Sequence, residues 1–94
     1  MRKIIQTTSF RRDLKKFVKH DSKLRESVEK TFELMLIDPF APFLRTHKLD
    51  GKYIGLLACS CGYDCRIVFY IDTRTERDNE LIFLVAVGDH DDVY

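Results

Sequence analysis

Apolar residues recur every three or four positions in two neighbouring segments of the first half of the chain. The first stripe follows the candidate helix caps Thr7, Thr8 and Ser9 and consists of Phe10, Leu14, Phe17 and Val18. The second follows Ser22, which we expect to cap it, and consists of Leu24, Val28, Phe32, Met35 and Leu36. This spacing is typical of amphipathic helices. Pro39 ends the second helix because it disfavours the helical conformation at Asp38. The link at residues 20–22 is so short that the two helices must pack antiparallel.

The rest of the chain carries strand patterns. Residues 2–7 fit a short first strand, and residues 52–59, 64–71 and 80–87 fit three more. Residues 40–50 and the charged segment 72–79 read as loops, with turns at 50–51 and 61–62. The predicted order is β-α-α-β-β-β. It describes an α+β fold in which an N-terminal strand and an antiparallel helical hairpin pack on a small antiparallel sheet, as a single domain over residues 1–94.

Side-chain alternation in the strand at 64–71 predicts which residues leave the core. Successive residues of a strand point to opposite faces. The wholly apolar set Cys65, Ile67, Phe69 and Ile71 should therefore face the helices, and the set Asp64, Arg66, Val68 and Tyr70 should face away. Antiparallel pairing places the start of this strand beside the end of the strand at 80–87. Arg66 and Asp64 should thus meet His90 and Tyr94 at one rim of the sheet.

The C-terminal segment carries the side chains best suited to chemistry. Gly88 breaks the last apolar strand, and His90 and Tyr94 follow at a spacing of four. A single helical turn would place both on one side. Imidazole is the side chain best matched to proton transfer near neutral pH. A polar, frayed terminus is the alternative interpretation of the same residues.

Composition and charge limit the class of protein. With 94 residues, 45% hydrophobic and 33% charged, the chain suits one compact globular domain. No apolar run reaches the ~20 residues of a membrane span, and the N-terminal segment does not resemble a signal peptide, so we expect a cytoplasmic protein without a membrane partner. Net charge is only +1, but seven basic residues lie between Arg11 and Arg25. Such asymmetry fits a basic face that meets phosphates, or a solvated helix face.

The cysteines form a C-x-C-x3-C cluster at positions 59, 61 and 65. An odd number in a reducing compartment argues against a disulfide framework. Zinc would require a second ligand pair at suitable spacing, and the sequence has none. We therefore expect Cys59, Cys61 and Cys65 to be small buried core residues, with a redox or metal role as the alternative interpretation.

Three motifs in this order resemble the RelE/ParE toxin superfamily, over essentially the whole chain. They are Leu49-Asp50-Gly51-Lys52-Tyr53, Gly62-Tyr63-Asp64-Cys65-Arg66-Ile67-Val68-Phe69-Tyr70 and Val87-Gly88-Asp89-His90-Asp91-Asp92-Val93-Tyr94. Within the superfamily the chain resembles the RelE and YafQ branch, whose members are mRNA endonucleases of bacterial toxin–antitoxin pairs. Several of those enzymes cleave mRNA in the ribosomal A site. The resemblance implies a RelE-like fold, a cognate antitoxin, mRNA as substrate and the ribosome as a partner.

The resemblance also implies roles for five residues. His47 and His90 match the histidines of YafQ-like toxins that precede the first sheet strand and lie near the C-terminus. Asp64 matches their strand-start aspartate. Arg66 matches the strand arginine of RelE, with two extra residues in its Gly-Tyr-Arg context. Tyr94 falls where both branches have a terminal aromatic residue.

The chemistry of RNA cleavage without a metal ion or cofactor fits these residue types. The 2′-hydroxyl attacks the adjacent phosphate, so one group must accept its proton, another must protonate the leaving 5′-oxygen, and a cation must stabilise the phosphorane. Arg66 suits the last role and His90 is the general acid or base. Either His47 or Asp64 is the complementary base, and Tyr94 orients the phosphate or stacks on a base. The chain lacks the catalytic lysines and the strong positive charge of RelE, which favours histidine chemistry.

Two other functions compete with this hypothesis. A ParE-like toxin with the same fold would inhibit DNA gyrase by binding, without cleaving RNA. A metal site built from His47, Asp64, His90 and the cysteines is a third interpretation, although no tight ligand spacing supports it.

Overall fold

The computed structural model describes residues 2–62, 64–72 and 80–93, apart from the side chain of Asp92. Two helices follow the first strand, β1 (Lys3–Gln6): α1 (Thr8–Phe17) and α2 (Ser22–Ile37). Thr7 caps α1, accepting a hydrogen bond from the Phe10 amide at 3.2 Å. The strand and both helices confirm the predicted elements.

The cap and the apolar stripe of α2 differ from the prediction in two places. Asp21, not Ser22, caps the helix, because its Oδ1 accepts the Leu24 amide hydrogen at 3.0 Å. Leu36 is 40% exposed, whereas Thr31 is buried in the stripe and satisfies its hydroxyl on the Ser27 carbonyl oxygen at 2.8 Å. Aspartate and serine are equally good caps, so composition alone could not choose between neighbouring candidates.

The loop predicted at 40–50 contains regular structure. A first 3₁₀ helix (Pro42–Leu44) leads into a two-residue strand, β2 (His47–Lys48). A second 3₁₀ helix (Gly51–Tyr53) then replaces the start of the strand predicted at 52–59, which is shortened to β3 (Leu57–Ser60). Gly51 and Gly55 have φ of 68° and 89°, left-handed values that glycine adopts readily and that interrupt an extended strand.

Five strands form one sheet in the order β1-β5-β4-β3-β2. The long pair is β4 (Arg66–Asp72) and β5 (Leu81–Gly88), which are antiparallel. The predicted antiparallel sheet is correct for β2 to β5 but incomplete, because β1 pairs parallel to β5, with Lys3 opposite Leu81. The fold is α+β, as expected. The sequence segment 72–79, predicted as a loop, lies outside the described residues except for Asp72.

The main core lies between the helices and one face of the sheet. As predicted, Cys65, Ile67 and Phe69 are fully buried there, and Ile71 packs against the same cluster. The helices contribute buried residues from both stripes, namely Phe10, Val18, Val28 and Met35. This packing fixes the direction in which the other residues of β4 point.

A β-bulge changes which residues of β5 face the helices. Val68 pairs with Ala86 and Phe69 with Leu84, so Val85 is an extra residue with no partner in β4. Before the bulge Leu84 faces the helices, and after it Val87 does, although the two are three positions apart. The face of the sheet that points away from the helices is partly covered by a second cluster of Leu49, Ala58, Val68, Ala86 and Val93. Within the described part of the chain, no helix is long and apolar enough to cross a bilayer.

Candidate active site at the β3–β4–β5 rim

The rim of the sheet at the start of β4 brings together residues from three strands. Arg66 pairs with Ser60 on β3 and with Gly88 on β5, as the antiparallel register predicted for β5. Because paired residues share a face, the side chains of Ser60 and Arg66 leave the sheet together, away from the helices. His90 follows two residues after Gly88 and begins the single turn α3 (His90–Val93).

The Arg66 guanidinium is held by the turn that precedes it. Its Nη1 donates to the carbonyl oxygen of Cys65 at 2.8 Å and to that of Gly62 at 3.4 Å. No carboxylate among the described side chains, which exclude that of Asp92, forms an ion pair with Arg66. A guanidinium has five N–H donors, so an oriented arginine of this kind retains donors for an anion.

Asp64 connects the β3–β4 turn to the last helical turn. Its backbone has a left-handed φ of 53°, a conformation that aspartate tolerates better than most residues. Its Oδ1 accepts the backbone amide hydrogen of His90 at 3.0 Å. The carboxylate thus contacts the first residue of α3 through the main chain. The His90 ring is 61% exposed and its Nδ1 lies 3.8 Å from Oδ1 of Asp91.

His47 reaches the same face from the edge strand. It pairs with Ala58, which also faces away from the helices, so β2 carries His47 towards the side on which Ser60 and Arg66 lie. Its Nδ1 is 2.9 Å from the carbonyl oxygen of Arg45. A carbonyl can only accept, so in this hydrogen bond Nδ1 carries the proton and Nε2 is the basic nitrogen of the neutral ring.

These residues line two adjoining hollows of about 400 and 520 Å³. We call the pair the rim cleft. Both hollows share Arg45, Ser60, Arg66 and His90, while His47 lines the smaller and Phe43, Gly62 and Asp64 line the larger. The structure therefore brings four of the five predicted site residues together. The fifth, Tyr94, lies outside the described residues.

Four lining residues were not anticipated as site residues from the sequence: Phe43, Arg45, Ser60 and Gly62. Ser60 could have been found, because the antiparallel register that places Arg66 also places its partner on β3. Phe43 and Arg45 belong to a segment without periodicity, so no pattern in the sequence indicated where they point. Arg45 adopts a left-handed backbone, with φ of 53°, where the first 3₁₀ helix turns into β2.

The cysteines differ from the prediction. Cys61 and Cys65 form a disulfide across the β3–β4 turn, leaving Cys59 as the free thiol. The turn sets this pairing: the Cys61 amide donates to the Cys65 carbonyl oxygen at 3.0 Å, and the two Cα atoms are 5.0 Å apart, within disulfide range. The predicted burial is correct for all three. Burial raises the pKa of the Cys59 thiol to about 12, against a smaller lowering by the Arg66 charge.

A metal site does not fit the rim cleft. The cysteines lie in the core on the helix side of the sheet, opposite to His47 and His90. Among the described residues, no three His, Cys, Asp or Glu side chains converge closely enough to hold a metal ion.

Comparisons with known proteins support the fold and identify the family. The family described as "Bacterial toxin of type II toxin-antitoxin system, YafQ" matches residues 2–94. No relative was found among curated protein sequences.

Solved structures show the same architecture. YafQ from E. coli BL21(DE3) has a TM-score of 0.76 at 14% identity, covering 100% of this chain and 99% of that one. YafQ in the E. coli DinJ–YafQ toxin–antitoxin complex has a TM-score of 0.73 at 15% identity, covering 99% of this chain and 97% of that one. A metal-bound toxin from Helicobacter pylori has a TM-score of 0.70 at 28% identity, covering 100% of both chains. On the family match, which spans nearly every residue, the chain belongs to the YafQ family of type II toxin–antitoxin toxins.

Proposed function

We propose that this toxin is an endoribonuclease that cleaves mRNA by attack of the 2′-hydroxyl on the adjacent phosphate. One observation carries the proposal: two imidazoles and a guanidinium, from His47, His90 and Arg66, line the same rim cleft. A protein that acts by binding alone has no need of an acid–base pair around an oriented cation. The set matches the three requirements of phosphodiester transfer without a metal ion.

Arg66 is the group for the phosphate. Its guanidinium is oriented by two backbone carbonyls and has no carboxylate ion pair within the described ranges. A bound phosphodiester can therefore accept its remaining N–H donors, and the contact strengthens as negative charge grows on the phosphorane. Loss of one such electrostatic donor typically lowers the rate by about 10²- to 10³-fold.

The histidines divide the proton transfers. The hydrogen bond from Nδ1 of His47 to the Arg45 carbonyl favours the tautomer whose Nε2 is basic. This makes His47 the general base for the 2′-hydroxyl and leaves His90, at the start of α3, as the general acid for the 5′-oxygen. General acid–base groups contribute about 10²- to 10⁴-fold each.

Asp64 is then a positioning residue. Its carboxylate accepts the main-chain amide of His90, which fixes where α3 begins and hence where the imidazole stands. Tyr94, four positions after His90 in the sequence, keeps the role implied by the resemblance: it orients the phosphate or stacks on a base.

A cognate antitoxin is the expected partner, with the ribosomal A site as the place of cleavage. The E. coli YafQ structure of the same fold was solved as a toxin–antitoxin complex with DinJ, which supports a protein antitoxin for this chain. If the protein isolated from its native host with all its bound partners contains no second small protein, the pairing is wrong.

The test uses all three histidines of the chain in one series. His47→Asn, His90→Asn and Arg66→Gln should each reduce cleavage of mRNA, assayed with and without ribosomes, by about 10²-fold or more. His20→Asn is the matched control: His20 lies between the helices with a left-handed φ of 64°, which asparagine tolerates. It should leave the rate unchanged.

The products separate this mechanism from the alternatives. Attack by the 2′-hydroxyl leaves a 2′,3′-cyclic phosphate, and replacing the attacking hydroxyl by hydrogen should abolish cleavage. Intact RNA together with inhibited DNA supercoiling by gyrase would instead establish the ParE-like function.

A further inference from the structure

We propose that Phe43 is a stacking platform for a base of single-stranded RNA next to the cleaved phosphodiester. The inference rests on the proposed function, because it adds a base-binding subsite to the same rim cleft. Phe43 lines the larger hollow together with Arg45, Arg66 and His90. It is 61% exposed and belongs to neither apolar cluster, although it is a large aromatic residue.

The backbone around Phe43 is held firmly. Pro42 begins the first 3₁₀ helix, where its fixed φ suits the first turn. The amides of Leu44 and Arg45 donate to the carbonyl oxygens of Ala41 and Pro42 at 3.0 and 3.2 Å. Leu44 is 1% exposed and Ala41 8% exposed, so both flanks are anchored in the core. The ring of Phe43 is thus presented outward on an ordered turn, and stacking on it orders little additional structure.

The surroundings select the ligand. Two guanidinium groups, those of Arg45 and Arg66, line the hollow beside the ring. Among the described side chains, which exclude that of Asp92, neither forms an ion pair with a carboxylate. An aromatic face next to two guanidinium groups matches the alternation of base and phosphate along single-stranded RNA. A purely apolar partner would leave both charges facing it without compensation.

Phe40 provides a matched control within the same segment. It is 58% exposed, nearly the same fraction as Phe43, but it does not line the rim cleft. Substitution of either residue by alanine removes an exposed ring, so loss of RNA contact specific to Phe43 cannot come from a general change of the surface. Phe43→Trp retains an aromatic face and should preserve stacking.

The experiment measures stacking directly. The probe is a 2′-O-methyl RNA pentamer with 2-aminopurine at its centre, which cannot react and whose fluorescence falls when the base stacks. The wild-type protein, Phe40→Ala and Phe43→Trp should quench it. Phe43→Ala should bind about 5- to 150-fold more weakly and lose the quenching, as expected for one base–aromatic stack. Its thermal midpoint should equal that of Phe40→Ala.

The outcomes distinguish this subsite from the proposed function. Quenching and affinity that Phe43→Ala leaves unchanged, while His90→Asn still abolishes cleavage, overturn the subsite alone. A wild-type protein that neither binds the pentamer nor cleaves mRNA overturns both. In cleavage assays the subsite predicts a raised KM for Phe43→Ala with kcat changed less, the reverse of the pattern expected for His90→Asn.

Discussion

Asp64 accepts a hydrogen bond from the main-chain amide of His90, and this contact makes it possible to test whether Asp64 or His47 is the base, a choice that the sequence left open. Asparagine keeps an acceptor oxygen and tolerates the left-handed backbone at position 64. Alanine has no side-chain acceptor and tolerates that backbone less well. If Asp64 only positions His90, Asp64→Asn should cleave RNA within about 3-fold of the wild type. Asp64→Ala should lose about 10- to 150-fold, as expected for loss of one hydrogen bond to a charged group. A general base would behave differently, because Asp64→Asn would then be as inactive as His47→Asn.

Cys59 gives a second residue-scale prediction, on reactivity. Its thiol, with a pKa of about 12, is protonated and buried in the native state, its sulfur 3.9 Å from that of Met35. Iodoacetamide at pH 8 should therefore leave the folded protein unmodified by intact mass. Unfolding without reductant should add one adduct, because Cys61 and Cys65 are bonded, and reduction should raise the number to three. Three adducts without reductant would contradict the disulfide.

The same thiol makes stability depend on pH with a definite sign. The unfolded thiol releases its proton near pH 8.5, roughly its reference pKa, while the folded one retains it. The contribution of Cys59 to the free energy of unfolding is therefore fully present below about pH 8.5 and declines as the pH rises from there towards 12.

At the scale of elements, the disulfide across the β3–β4 turn should stabilise the hairpin. Closing so short a loop restricts the unfolded chain by about 2 kcal/mol in the chain-entropy account. Reduction with dithiothreitol should lower the free energy of unfolding, measured in urea, by roughly that amount. The double variant Cys61→Ser, Cys65→Ser is the control, since reductant should not change its midpoint. Identical urea midpoints for the oxidised and reduced wild type would contradict the prediction.

The elements that sequence reasoning located are those with a repeated signal. Helix α1 follows from Phe10, Leu14 and Phe17 because each lies one turn from the next, and the facing of β4 follows from the alternation around Ile67. The approach of Asp64 to His90 followed in turn from the antiparallel register. Residue chemistry and periodicity were sufficient for these contacts.

The elements that it missed depend on a few residues without a period. Strand β2 is only His47 and Lys48, both exposed, so no apolar pattern marks it. The bulge at Val85 could not be predicted, because residues 81–87 are all apolar and show no alternation that a shift in register would interrupt. The disulfide required the exact path of a turn, which a count of cysteines does not provide. Phe43 and Arg45 were missed for the same reason. The path of the turn at Pro42–Leu44 places their side chains in the rim cleft, and that path depends on tertiary packing.

For the whole molecule, the net charge is only +1, so the proposed RNA contact in the rim cleft should appear as a local effect of Arg66 on salt dependence. Each phosphate contacted on a single strand contributes about −0.7 to the slope of log K against log salt concentration. Arg66→Gln should therefore make the slope for the non-cleavable pentamer shallower by about 0.7. Arg12→Gln, on the basic face of α1 and paired with Asp13 at 4.0 Å, should leave it unchanged. Equal changes in both variants would contradict specific binding of the RNA phosphates in the rim cleft.

Because β1 pairs parallel with β5, the sheet cannot be completed until β5 has been synthesised. During synthesis β1 leaves the ribosome first, yet its partner in the sheet, Leu81–Gly88, is the last strand to emerge. A nascent chain halted before that strand has an unpaired first strand and an open core, and it lacks His90. Vectorial translation thus delays completion of the toxin fold until β5 has left the tunnel, and products truncated before β5 should be harmless.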